Sequence, residues 1–174
     1  MIDCSVSAIK GFLESESIQL HLEKGTESTP IDTLVLEIGN DYAGRVQEVL
    51  LQIVKKKMLN TDKTSESPTK DLKFLSLLYF FPFQFKDEAV NDIARYILLI
   101  NKTLEFSGFG LSEVDRLIFF RHDLWCNLGK VNRDLLKSFL GYVLLLADAF
   151  GPKFEQLASC EKSFFQIIEE AKPE

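Results

Sequence analysis

Two histidines, three cysteines and a scatter of carboxylates are the side chains of this sequence suited to proton transfer, nucleophilic attack or metal ligation. His21 lies on the polar side of an alternating stretch, and His122 stands in the run Arg121-His122-Asp123. Nucleophilic catalysis needs a nucleophile, a base and a third group that orients the base. Neighbouring residues of a strand point to opposite faces, so Asp123 is badly placed to orient His122. A zinc site wants Cys or His in close pairs, and Cys4, Cys126 and Cys160 form none. Their odd, sparse distribution argues against a disulfide framework and suits a reducing cytoplasm. They read instead as small apolar residues of the interior.

Gly108-Phe109-Gly110 is the first half of a dinucleotide fingerprint without the second. The third glycine would stand at Glu113, and no helix opens at once, so the segment reads as a tight turn between strands. The carboxylate pairs Asp87/Glu88 and Glu169/Glu170 fall at helix ends, the first at the end where the macrodipole favours negative charge. Lys55-Lys56-Lys57 reads as an exposed strand end rather than a nucleic-acid patch, because the chain carries a net charge of −6. These residues compose no catalytic set, no metal site and no cofactor site.

The elements that would hold them follow from periodicity. Ile2, Val6, Ile9, Phe12 and Leu13 have helical spacing. Ile18, Leu20 and Leu22 alternate with polar residues, as do Leu34, Leu36 and Ile38, and both stretches read as half-buried strands. Residues 45–58 fit either period, with β-branched content tilting them to a strand. The polar segment 59–70 reads as a mobile loop between strands. Residues 72–85, LKFLSLLYFFPFQF, read as a central strand covered on both faces. Pro82 belongs near its end or at a bulge, and unless it introduces a bulge Phe81 and Phe83 share a face opposite Phe80.

Val90, Ile93, Ala94, Ile97 and Leu98 form a helical stripe over 87–101. Two strands follow at Leu104–Leu111 and Asp115–His122, and Trp125 reads as core packing. Asn132 caps a helix that Gly151-Pro152 is expected to stop. A last helix carries Phe154, Leu157, Phe164, Phe165, Ile167 and Ile168. The order predicts an α+β fold: an antiparallel sheet of five to six strands with flanking helices, as one domain over 1–174 with 151–174 as a C-terminal helical extension.

Composition bounds the class. With 174 residues, 46% hydrophobic and 26% charged, the chain matches an ordinary globular domain. Clustered Lys and Arg are lacking, so no nucleic-acid partner is expected. No apolar run approaches the ~18 residues of a membrane helix, and Asp3 stands where a secretory signal wants positive charge, so a cytoplasmic protein without membrane partner is expected. The functional signal is an apolar surplus. Phe164, Phe165, Ile167 and Ile168 cannot all share one helical stripe, so at least one is expected to reach a neighbour or a bound polypeptide.

A longer pattern runs over 71–124. A long apolar strand ends in Phe81-Pro82-Phe83, a helix ends ARYILLINKTLEF, and GFGLSEVD and LIFFRHDL follow. This resembles the YbjN-like family, whose members share the fold of type III secretion chaperones. The resemblance implies a small, acidic, non-enzymatic, homodimeric protein that binds other proteins. It would hold a client polypeptide on an apolar surface as a chaperone or adaptor. The alternative is a regulator of stress response or motility acting through folded protein partners. The resemblance carries over no catalytic residue and no cofactor.

Overall fold

Period-two alternation becomes sheet wherever it runs for four residues or more, and the computed structural model, which describes residues 1–27, 30–57, 71–105 and 108–171, shows how those strands pair. The chain runs β1 (Ile2–Asp3), α1 (Val6–Ser15), β2 (Leu20–Glu23), β3 (Thr33–Asn40), β4 (Val46–Lys57) and β5 (Asp71–Gln84). A short 3-10 turn at Asp87–Ala89 leads into α2 (Val90–Asn101). Then come β6 (Gly108–Ser112), β7 (Leu117–Trp125), β8 (Lys130–Val131), α3 (Arg133–Ala158) and α4 (Phe164–Glu170). Six strands form one antiparallel sheet in the order β2-β3-β4-β5-β7-β6, and β1 pairs with β8 in a separate ribbon. The α+β expectation holds, and the ambiguous 45–58 segment is a strand. The loop expected at 59–70 lies outside the described residues.

One cross-strand row spans the whole sheet: Leu20, Leu36, Val49, Tyr79, Phe120 and Phe109 stand opposite one another in turn. All six belong to or pack on a single core with Ile9 and Leu13 of α1, Ile93 and Tyr96 of α2, Leu136 and Phe154 of α3, and Ile167 of α4. Burying each such side chain stabilises the fold by roughly 1.5–3 kcal/mol. Burial also pushes the Tyr96 hydroxyl up to about 12, because the charged phenolate is disfavoured away from water.

Several expectations are corrected by packing. Gly151-Pro152 does not stop α3, which runs for 26 residues with Pro152 inside it. Gly151 is buried against Phe81, where an added Cβ would lie 3.4 Å from the ring. Core residues Ala147 and Phe154 flank the pair, so burial on both sides offsets the hydrogen bond that proline forfeits. The proposed C-terminal extension therefore begins within this helix. By length and composition α3 could cross a membrane; here its buried stripe, from Leu136 to Ala158, packs on the sheet.

Gly108-Phe109-Gly110 is not a turn but most of β6. A Cβ at Gly110 would lie 2.5 Å from the Phe119 ring, so the glycine is there for close cross-strand approach. Trp125 is 67% exposed rather than core.

The cysteines behave unlike their spacing suggested. Cys4 and Cys126, separated by 122 residues, are joined as a disulfide with Cα atoms 6.4 Å apart. Pairing of β1 with β8 brings the two ends together, a juxtaposition that sequence spacing cannot reveal. Cys160 is free and exposed.

Candidate functional site

Alternation gives the sheet a second face, and the apolar residues on it do not join the core. Leu50, Val54, Phe74, Leu78, Phe80 and Phe119 are half-buried and Trp125 is exposed, and all seven are absent from the buried cluster and from the residues packed against it; Val35, on the same face, is buried. Ladder register arranges them in rows. Val35, Leu50 and Leu78 stand opposite one another and end at Arg121. Val54, Phe74 and Trp125 make a second row, and Phe80, Phe119 and Gly110 a third. The rings pair across strands: Phe74 meets Trp125 edge-on at 4.6 Å between centroids, and Phe80 lies 6.0 Å from Phe119. Such cross-strand pairs stabilise the sheet itself, but they leave their outer surface without a helix. Among the described residues helices cover the 72–85 strand on one face only, whereas cover on both was expected.

A polar row crosses this apolar face. Thr33, Gln52, Ser76 and Asp123 stand opposite one another on β3, β4, β5 and β7. The Gln52 amide donates to the Thr33 hydroxyl over 2.9 Å. Asp123 accepts from Arg121 Nη2 at 3.1 Å and from the Ser76 hydroxyl. Burial alone would raise the Asp123 carboxyl, but the Ser76 and Arg121 hydrogen bonds outweigh it and hold the group below its ordinary range. The face is therefore apolar with a central line of hydrogen-bonding groups, in which Thr33 and Ser76 are buried and the Asp123 carboxylate is paired with Arg121. That combination suits an extended polypeptide, with its alternating side chains and backbone amides, better than a small reactive molecule.

Towards the other end of the sheet a charged latch ties the β3–β4 turn to α3. Arg45 donates through Nη1 and Nη2 to Glu155 at 2.8 and 2.6 Å, and through Nε to Asp41 at 2.7 Å. The Tyr42 hydroxyl also donates to Glu155. Burial, and then the charge of Asp41, push the Glu155 carboxyl up. Asp41 itself is held down: burial opposes, but backbone N–H groups of Arg45 and Ala43 and the Arg45 guanidinium prevail. The latch is a structural tie in which one guanidinium bridges two carboxylates.

The histidines take separate roles. His122 is on the core side, stacked on Phe139 at 3.8 Å, while Asp123 faces the other way, as strand alternation requires. His21 is on edge strand β2 beside Glu23. No group of three or more His, Cys, Asp or Glu that could hold a metal occurs among the described residues.

The four residues singled out in the last helix do not act together. Ile167 is buried in the core, and Phe164 and Ile168 pack partly against it. Phe165 alone is exposed, at 67%. Arg95 of α2 covers the two rings, its guanidinium 4.3 Å from the Phe164 centroid and 4.5 Å from that of Phe165. The uncovered sheet face escaped notice in the sequence, although Phe74, Leu78 and Phe80 on alternate positions were its signal.

No curated protein sequence matches this chain. The family model of YbjN, described as "Putative bacterial sensory transduction regulator", matches residues 67–156, from the approach to β5 through most of α3.

Proposed function

Because the chain belongs to the YbjN family, we propose that it is a non-enzymatic regulatory adaptor that works by holding a polypeptide on the uncovered face of its sheet. The observation that carries this reading is the set of half-buried and exposed apolar side chains, from Leu50 to Trp125, that stay outside the core. An apolar area of this kind on a folded domain marks an interaction site more often than a packing accident. Arg121, Asp123 and Gln52 would supply polar contacts along the bound segment, and the apolar rows would take its side chains. A chaperone-like role, in which the segment belongs to an unfolded client, is one form of this activity. Regulation through a folded partner is the other, and the family description favours it. Self-association and a cytoplasmic setting belong to the same reading, with Phe165 of α4 as the exposed apolar contact of the last helix.

The client-holding form is tested with heat-denatured citrate synthase. The full chain is expected to suppress its light scattering, and Leu78→Asp or Trp125→Ser to lose the effect while keeping the circular dichroism of the fold. Light scattering of the chain alone, with and without Phe165→Asp, tests self-association. A chain that protects no client, and whose solubility and mass are unchanged by substitutions on the sheet face, would remove the client-holding form and leave the regulator.

A further inference from the structure

The Arg45 latch and the α2–α4 contact tie elements of the fold to one another, whereas the tie between Cys4 and Cys126 has consequences beyond packing. The first strand is only Ile2–Asp3, paired with Lys130–Val131. A ribbon of two residues on each side is not stable by itself in water. One further backbone hydrogen bond, from the Cys4 N–H to the Gly129 carbonyl at 2.7 Å, and the burial of Ile2 in the core add to the attachment. The covalent bond is therefore the strongest local link between the N-terminal segment and the end of β7. On the β7 side, Cys126 donates its N–H to the Lys73 carbonyl at 3.0 Å and follows Trp125 directly. Trp125 and Phe74 form the outermost aromatic pair of the uncovered face.

We propose that Cys4 and Cys126 form a redox-operated staple that fixes the N-terminal segment on the β7–β8 turn and sets the position of Trp125 at the end of the sheet face. The link to partner docking rests on the function proposed above; the staple does not. Its chemistry follows from exposure. Cys4 is buried and Cys126 is partly exposed, so an external oxidant reaches Cys126 first. With glutathione disulfide as oxidant, the Cys126 thiolate attacks one sulfur and releases one glutathione thiolate, leaving a mixed disulfide. The Cys4 thiolate then attacks the Cys126 sulfur and releases the second glutathione. Two protein thiols lose two protons and two electrons, and one glutathione disulfide becomes two glutathione thiols. Reduction runs the same steps backwards and frees the segment.

The test uses the full chain carrying Cys160→Ser, which removes the exposed third thiol. Thiols are counted by mass after alkylation in buffers of set glutathione ratio, with the emission of Trp125, the single tryptophan, and the melting temperature recorded alongside. Oxidised protein is expected to show no free thiol, a shifted emission, and a melting temperature higher than the reduced form by roughly 5–15 °C. In glutathione disulfide, Cys4→Ser is expected to trap one glutathione on Cys126, whereas Cys126→Ser leaves Cys4 unmodified. Two thiols persisting in excess glutathione disulfide would overturn the staple, as would oxidised and reduced forms with the same melting temperature and emission. Glutathione accumulating on Cys4 in the Cys126→Ser variant would overturn the order of attack. None of these readouts involves a partner, so their failure leaves the docking reading standing, and a failure to hold a client leaves the staple standing.

Discussion

Asp123 shows how one residue can serve both the fold and the surface. It is a carboxylate on a largely apolar face, kept ionised by the Ser76 hydroxyl and by Arg121. Its folded pKa lies below its unfolded one, so the group stabilises the fold above the ordinary carboxylate value of about 4. That contribution is lost as the pH falls through the lower folded value. Asp123→Asn is expected to lower stability at neutral pH by about 1–3 kcal/mol, the range for a lost charged hydrogen bond. It should also flatten the decline of the melting temperature in acid. Thermal denaturation at a series of pH values checks both, and an acid limb parallel to that of the wild type would contradict this account. The sequence places Asp123 opposite to His122 correctly, but its partner Ser76 is 47 positions away and becomes visible only through the β5–β7 register.

At the scale of the element, β5 is the informative strand. Phe81 is 2% exposed and its ring meets Tyr79, Phe83, Phe109 and Phe154. Phe80, one residue earlier, meets only Phe119 among described ring contacts and lies outside the core. Phe81→Ala is expected to cost roughly 3–5 kcal/mol, as for a core phenylalanine. Phe80→Ala should cost about 1 kcal/mol or less, as for a surface substitution. Urea denaturation of the two variants measures the difference, and equal costs would mean that both faces are covered. The period-two reading placed Phe81 and Phe83 together and Phe80 opposite. Pro82 is accommodated where the β5–β7 register shifts between Phe80 and Gln84, one of the two placements expected of it, and the Phe81 and Phe83 rings still meet at 5.4 Å. What the pattern could not say is which face the helices take, because a run of Leu and Phe on both faces has the same appearance either way.

For the molecule as a whole, the last helix closes the helical layer. Its Phe164 N–H donates to Asp92 of α2 at 3.0 Å, Ser163 forms a capping box with Gln166, and Ile167 enters the core. Truncation after Ser163 is expected to destabilise the chain by about 2–5 kcal/mol, the cost of emptying a core aliphatic site. A melting temperature unchanged by the truncation would show that α4 lies on the surface and not in the fold. The same helix leaves Phe165 exposed, so one short segment both completes the core and offers an apolar contact.

Most element types, the antiparallel α+β class and the capping of α3 by Asn132 were legible in the residues alone. These depend on periods and caps that act over a few residues, set by backbone geometry alone. Only the tertiary structure decided the rest. Among the described residues the helices gather on one face of the sheet, Gly110 yields space to Phe119, α3 continues through Pro152, and Cys4 meets Cys126. Each of these is a contact between residues distant in sequence, and its energy comes from burial and register that no local pattern encodes.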